Sequence, residues 1–535
     1  MTLDPKVQVE LPSQGVIVRR SGKHPTVYKV TETFRTEDGK PDNRRVGIGK
    51  YDSSTGMLIP NPKYFEFYGD GASKVEVMPA FNTTRCIGGA FLIDHILTSL
   101  GVSNILAECF DRERASLIHT SALYMASRGN VFEGVLDFCE DFTYLERPLA
   151  SSSASELFAS ITWDERMEFF KKWVNTQNSL GYLAYDVTSF STYAKGIVDA
   201  EFGHNRDGEK LPQINLGCYL SESSGLPIFY VTYPGSIVDK SHLKNMMAYN
   251  KDLSISEVVY VLDFGFCSVD NIKYLSQTGF KYLLHVDRRY KETMAVLDNA
   301  REGILTMQNL ISDGVYGVSK KGNFYGVNGT MHVFCNPKLA EDQRKDLYRL
   351  VESKEELLIQ HEKMSQKDIR PYKRFFSIYL DDNNKPIYNR DYIKIQSLER
   401  YCGFFCIFTE LDLTASQVLT IYRNKDLIEK CFDDVKNHID MKRLRTHNSK
   451  TTDGKLFCSF ISLIAVTEMM IKLRTIMRKK GWSKNSVFRD LEKIRIITTN
   501  SNKRLENHLT KRQRIILDTF NIGEKEIEAY LARAN

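Results

Sequence analysis

Hydrophobic and polar positions alternate with a period of two in the first part of the chain. "TVYKVTETF", "RRVGIGKYD" and "NPKYFEFYG" are broken by turn signals such as "EDGKPDN", the pattern of short strands and tight turns. Residues 1–85 are therefore predicted to form a small β-rich module. From Gly88 the period lengthens to that of a helix, in "GGAFLIDHILTSLG" and "ASLIHTSALYMAS", and "SSSASELFASI" offers a serine N-cap ahead of an apolar face. This predicts a helical domain over 86–180. Strands return at Gly181: "GYLAYDVTSFST" alternates, and "LPQINLGCYLS" and "LPIFYVTYP" make a pair joined by "ESSG". "SHLKNMMAYNKDLS" suits a crossover helix, and "VVYVLDFGF" is the continuous apolar run of a strand buried on both faces. Residues 181–290 read as an α/β sheet unit. After "YLLHVD", segments such as "SKKGNFYGVNGT" and "LDDNNKP" interrupt further strands and predict a β-rich insertion over 291–410. Beyond Thr414 the pattern is helical, giving a segment 411–450 and a carboxy-terminal helical region 451–535.

A chain of 535 residues is too long for one core and should fold as roughly three or four units. The longest apolar run, "LFCSFISLIAV", is shorter than a bilayer requires, so no membrane span is expected. The start, "MTLDPKVQVELPSQG", has neither a basic nor an apolar leader region, and a cytoplasmic protein with reduced thiols is expected. The ten cysteines are scattered, and Cys402 and Cys406 lack the spacing of a zinc site, so they are read as core. Charge is uneven. From Lys436 to Asn535 there are 22 Lys and Arg against 10 Asp and Glu, or +12 within a chain of +6, which leaves −6 for the rest. A basic tail suits a polyanionic partner, since each cation near a phosphate backbone releases counterions; a soluble basic bundle without that role would look the same.

Two aspartates stand where apolar strands stop. Asp263 ends "VVYVLD" and Asp186 lies near the end of the first strand of the same predicted sheet. Ligands of α/β sheets bind at the carboxyl ends of strands, and carboxylates that converge there are held together by cations, Mg²⁺ or Mn²⁺ suiting hard oxygen donors. Each alone could equally be a helix N-cap or a turn aspartate. "IYRNKDLIEKCFDDVKNH", residues 421–438, places eight charged side chains in eighteen positions. On one helix, Tyr422, Lys425, Glu429 and Lys436 form a stripe opposite the apolar Leu427, Ile428, Cys431 and Val435. A solvated face could carry the same stripe.

The spacing of that stripe resembles the Tyr, Arg, Glu, Lys signature of DDE transposases from bacterial insertion sequences, with Lys425 where the family has arginine. The swap keeps the charge and loses the bidentate fork. "YDVTSF" resembles the family's first-aspartate motif, "YVLDFGF" its second, "GFFCIFTELDL" the strand before the glutamate helix, and "TYPGSIVD" the turn after the strand pair. The resemblance covers about 180 to 450. It implies an α/β, RNase H-like catalytic domain in two parts, 181–290 and 411–450, interrupted by the β-rich insertion, with the 86–180 region binding DNA. It implies Asp186, Asp263 and Glu429 as catalytic and metal-binding acids for two Mg²⁺ or Mn²⁺ ions, with Asp433 the second choice for the third acid. Tyr422, Lys425, Lys436, Arg443 and Arg445 would contact DNA. Partners would be double-stranded DNA, as terminal inverted repeats and target, and a second copy of the chain. His447 receives no role.

Two further readings stay open, a silent DNA-binding relative and an RNase H-like nuclease for branched DNA. A protein kinase, suggested by "VGIGKY", "HNRD" and "DFG", fails because the glycine loop lacks its third glycine and Pro212 stands where the catalytic asparagine belongs.

Overall fold

The computed structural model describes residues 8–19, 25–36, 38–53, 55–69, 83–140, 149–177, 180–499 and 502–533. Residues 1–7 of the stretch read for a leader lie outside the described residues. The chain divides into two compact units, Met1–Cys86 with Ile494–His508 and Lys525–Arg533, and Ile87–Lys493 with Leu509–Glu524 and Ala534–Asn535.

In the first unit β1 (Val16–Arg19), β2 (Thr26–Arg35), β3 (Pro41–Tyr51) and β4 (Leu58–Pro60) form an antiparallel meander. Val27, Ile48 and Leu58 face Tyr64 of α1 (Pro62–Tyr68), a helix opened by Asn61, whose side chain accepts from the Tyr64 amide. The short strand β5 (Thr83–Cys86) follows.

The second unit starts as a helical array: α2 (Gly88–Ser99), α3 (Val102–Cys109), α4 (Arg112–Arg128), α5 (Val135–Glu140), α6 (Ser151–Ser160) and α7 (Trp163–Asn175). Asp111 caps α4, and Thr162 with Glu165 makes the capping box of α7. The serine-rich start of α6 works differently from expectation: Ala150 holds the cap position, and Ser153 Oγ accepts from its amide at 3.1 Å.

A nine-stranded sheet comes next, built from β6 (Tyr182–Ser191), β7 (Gln213–Ser221), β8 (Pro227–Pro234), β9 (Val259–Leu262), β10 (Lys281–Val286), β11 (Leu310–Ser312), β12 (Val315–Phe324), β13 (Val327–Cys335) and, far downstream, β16 (Phe404–Thr409). Its order is β11-β12-β13-β16-β10-β9-β6-β7-β8. Only β10–β9 and β9–β6 pair in parallel, linked through α8 (Asp239–Asp252) and α9 (Val269–Gln277). The stretch 291–410, expected as one β-rich insertion, is split. After α10 (Lys291–Arg301), its strands β11 to β13 and β16 extend the large sheet rather than forming a separate body. Continuous buried runs such as "MHVFC" and "CIFT" are hydrophobic on both faces because both faces are covered. Only the piece between β13 and β16 stands apart. There α11 (Pro337–Gln360), the hairpin β14 (Phe376–Leu380) and β15 (Pro386–Arg390), and α12 (Tyr392–Glu399) share a core of Val351, Leu358, Ile369, Phe376 and Ile395.

Next come α13 (Ala415–Arg423), α14 (Asp426–Asp433) and α15 (Ser449–Lys480). By length and composition α15 could cross a bilayer, and 78% of its apolar window is buried in the protein. Phe457 meets Phe110, Phe169 and Phe170, Phe460 meets Tyr230 of β8, and Ser462 Oγ donates to Ala122 O at 2.8 Å. It is the axis around which the helical array packs. The expectation of helix throughout 451–535 fails at one place. After α16 (Lys484–Leu491), β17 (Arg495–Thr499) and β18 (Asn502–Leu505) pair antiparallel, and β17 also pairs with β5, before α17 (Lys511–Asp518) and α18 (Glu524–Arg533). "RIITT" is short, β-branched and easily lost among helical patterns.

Lys455 of α15 is 4% exposed, donating to Leu444 O at 3.3 Å and Asn130 Oδ1 at 3.4 Å. Burial, helped by nearby Arg445, pushes its amine down to about 8 from 10.5. Across that window the unfolded chain holds more protons at this site than the folded one. The cost to stability is therefore full below about pH 8 and fades as the pH rises toward 10.5. Urea denaturation should show the stability difference between wild type and Lys455→Met moving in favour of the wild type between neutral pH and the top of that window.

Candidate functional site

Strand register brings the first two acids together. On the parallel pair β6–β9, Tyr185 stands beside Leu262, so the next residues, Asp186 and Asp263, stand side by side. On β9–β10, Leu262 stands beside Leu284, which puts His285 next in the same row. Residues level with one another on neighbouring strands point to the same face. Asp186 Oδ1 accepts from the Val187 amide at 2.8 Å. Asp263 also caps the 3₁₀ turn Phe264–Phe266, accepting from the Phe264 amide at 2.8 Å. For this residue the capping role and the site position coexist.

The covering helices supply the remaining groups. Thr414 and Gln417 form the capping box of α13, whose apolar side packs Val418, Leu419 and Ile421 against Val261, Leu283 and Ile407 of the sheet. The stretch 421–438 is not the single helix the stripe assumed. Between α13 and α14 the backbone bonds are of the i→i−3 type, Lys425 N to Tyr422 O at 3.1 Å and Ile428 N to Lys425 O at 2.9 Å. This tightened turn eclipses residues three apart, and it stacks Lys425 over Tyr422. One α-helical turn later comes Glu429. The Lys425 ammonium lies 3.4 Å from Asp186 Oδ2, 3.4 Å from Asp263 Oδ2 and 3.6 Å from Glu429 Oε1. The three acids therefore converge on one point, and a cation stands at it.

Asp263 is the better-held acid. Tyr422 Oη donates to its Oδ1 at 3.0 Å, and His285 Nδ1 lies 3.3 Å from the same oxygen and 2.9 Å from the Tyr422 hydroxyl. Burial works to raise its pKa, but the His285 hydrogen bond, the Lys425 charge and the Phe264 amide hold it well below the usual carboxylate range. Asp186 meets the same lysine and goes the other way. Burial pushes it up, and Lys425 with one backbone amide does not offset this. The opposite shifts follow from the donor count, several on Asp263 against few on Asp186. Burial alone would lower Lys425; the charges of Asp186, Asp263 and Glu429 raise it, so the ammonium stays protonated.

Lys436 is turned elsewhere. Residues Asp434–His438 form a π turn, with Ile439 N bonding Asp434 O at 3.0 Å, and this under-wound turn rotates Lys436 to Asp207, 2.8 Å away. Asp433 is exposed and accepts from Asn437 Nδ2 at 2.6 Å, whereas Glu429 is the third acid around Lys425. Arg443 pairs with Glu209 and lies 5.5 Å over the Tyr193 ring. Arg445, about half exposed, is 3.2 Å from Asp440 Oδ2. The 440–445 loop is fixed by Asn130, whose amide donates to Arg443 O at 3.0 Å, and by Leu444 N, which donates to Ser191 O at 3.2 Å. Sequence reading passed over His285 and met Asp207 only within the discarded kinase motif "HNRD". For His285 a signal existed: "YLLH" repeats the apolar run and polar stop of "YVLD".

Two open cavities flank the Tyr422 ring. One, of about 470 Å³, is lined by Asp263, Lys425 and Glu429. The other, of about 680 Å³, is lined by His285, Phe264, Arg288, Arg289 and Arg374.

A family model described as "Transposase DDE domain" matches residues 180–464, more than half of the chain. The chain belongs to the DDE transposase family. The matched span of this transposase contains the nine-stranded sheet, α13, α14 and the first half of α15, and so all three acids. Among solved structures, a cryo-EM structure of a piggyBac transposase synaptic complex with hairpin DNA is similar at 10% identity and a TM-score of 0.35, over 85% of this chain and 84% of that chain. No curated protein matches.

Among the described residues no group of three or more His, Cys, Asp or Glu side chains is spaced to hold a metal ion as it stands. The donor set nonetheless suits a hard divalent cation. It consists of carboxylate oxygens aimed at a point where the ammonium already serves as stand-in.

Proposed function

We propose that this transposase cuts the ends of a mobile DNA element and joins the freed 3′-OH to target DNA by metal-dependent phosphoryl transfer. The observation that carries this reading is the convergence of Asp186, Asp263 and Glu429, which lie 77 and 166 residues apart in the chain, on one cation-holding point. Asp186, Asp263 and Glu429 would hold divalent ions, Mg²⁺ or Mn²⁺, which when bound supply charge to the attacking and leaving oxygens of an in-line displacement at phosphorus. The chain's own groups position the rest. His285 and Tyr422 fix the carboxylate of Asp263 through its Oδ1, leaving Oδ2 toward the shared point. Arg288, Arg289 and Arg374, on the far side of Tyr422, offer cations to a phosphate backbone entering from that side. Arg443 and Arg445 extend the basic surface, Lys436 reaches DNA only by leaving Asp207, and two copies of the chain would pair the two ends.

The test is Mg²⁺-dependent cleavage of DNA carrying the inverted repeats that bracket the gene. Nicked products bearing 3′-OH ends support the reading. Binding without cutting favours a silent DNA-binding relative, and cutting of branched DNA without regard to repeats favours a junction nuclease. His285→Ala should lower the cleavage rate about 10–100-fold, the usual cost of losing a group that orients a metal ligand, with thermal unfolding little changed because His285 is partly exposed at the cavity.

A further inference from the structure

We propose that Lys425 and a divalent cation compete for the same place, so that metal loads only when the lysine side chain withdraws. The proposal deepens the reading of Asp186, Asp263 and Glu429 as metal-holding acids and rests on it. Three observations carry it. First, the ammonium is shared rather than captured. Its distances to the three carboxylates span only 3.4 to 3.6 Å, long for any one charge-assisted hydrogen bond and suited to a cation centred among several acceptors. Second, Lys425 is 4% exposed. A lysine is seldom buried that far without paired charge, and here the pairing is with the very oxygens a metal would need. An ion and an ammonium cannot both stand within contact distance of the same three oxygens without repelling at short range.

Third, there is somewhere to go. Lys425 also lines the open cavity of about 470 Å³ that Glu429 and Asp263 border. Its flexible four-carbon stem can swing the compact ammonium into that space without unwinding α14, a movement a planar guanidinium held bidentate by one carboxylate would resist. The same swing would carry the cation toward DNA lying over the acids. In the absence of metal the lysine keeps the carboxylates assembled; in its presence the lysine becomes free to meet a phosphate.

The experiment is a Mn²⁺ titration of the full-length protein without DNA, with free Mn²⁺ followed by electron paramagnetic resonance. Lys425→Gln should bind Mn²⁺ at least tenfold more tightly than wild type, and equal or weaker binding overturns the proposal. Asp263→Asn separates the two layers. If it abolishes Mn²⁺ binding while Lys425→Gln matches wild type, only the competition fails; if it leaves binding unchanged in both backgrounds, the metal reading fails and the competition with it. Should Lys425→Gln not fold, reductive methylation of wild type followed by mass spectrometry decides the matter. Lys425 is expected to be protected without metal and labelled several-fold faster with Mg²⁺, and identical labelling in the two conditions overturns the proposal.

Discussion

Asp186→Asn is expected to abolish cleavage of terminal-repeat DNA while leaving the protein at least as stable as wild type. The loss should be on the order of a thousandfold, since Asp186 would hold the divalent ions whose charge the displacement needs, and an amide of the same shape is a far weaker ligand for a hard cation. The stability side follows from burial. Burial raises the pKa of Asp186, and the opposing pull of Lys425 does not cancel the cost of desolvating its charge. Neutralising it removes an unfavourable charge from the folded state, and Lys425 retains Asp263 and Glu429. Gel-based cleavage and thermal unfolding of the same preparation check both halves. A variant that cuts normally, or one that loses activity only because it has lost its fold, would contradict the assignment. Glu429→Gln should lose activity to a similar degree. Its side chain is far more exposed, so its stability should hardly move.

The second large effect lies well away from the acids. Gly454 sits where α15 crosses α6, and a Cβ there would stand 2.0 Å from Phe158 O and 2.6 Å from its carbonyl carbon. These are backbone atoms, which cannot move aside as a side-chain tip can. Gly454→Val should cost about 3 kcal/mol or more, the upper range for overpacking a fitted core, and should leave the protein insoluble; Gly454→Ala should already lower the urea midpoint clearly. The adjacent ion pair, Arg166 to Asp453 at 3.0 Å, ties α7 to the same turn of α15, so the damage should spread into the helical array. An unchanged midpoint for Gly454→Ala would mean that the two helices do not approach as closely as described.

Much of this site was legible before any coordinates. Asp186 and Asp263 announced themselves as polar stops to apolar runs, and strand register turned that linear hint into adjacency. Glu429 stood out only because its spacing to Tyr422 and Lys436 resembles the family signature; the stripe by itself could have been a solvated face. What the stripe could not convey was winding. A tight turn at Asn424–Lys425 and a loose one at Asp434–His438 preserve helical dihedrals while redirecting side chains, so that Lys425 meets the acids and Lys436 meets Asp207. Hydrophobic periodicity is too coarse to register such changes. The membership of β11 to β13 and β16 in the large sheet was hidden for another reason. Pairing between strands distant in sequence leaves no local mark, and turn-rich connections imitate a domain boundary. His285 was passed over because a lone histidine at a strand end is ordinary until its neighbours in the row are known.

The placement of β16 bears on how the molecule is made. It lies between β13 and β10, yet its residues, Phe404–Thr409, are synthesised some seventy positions after β13 ends. While the ribosome is still adding that stretch, β10 and β13 each present an unpaired edge, the kind of surface that recruits strands from other nascent chains. Messages truncated before codon 404 should therefore yield aggregating fragments, and such fragments would also lack Glu429.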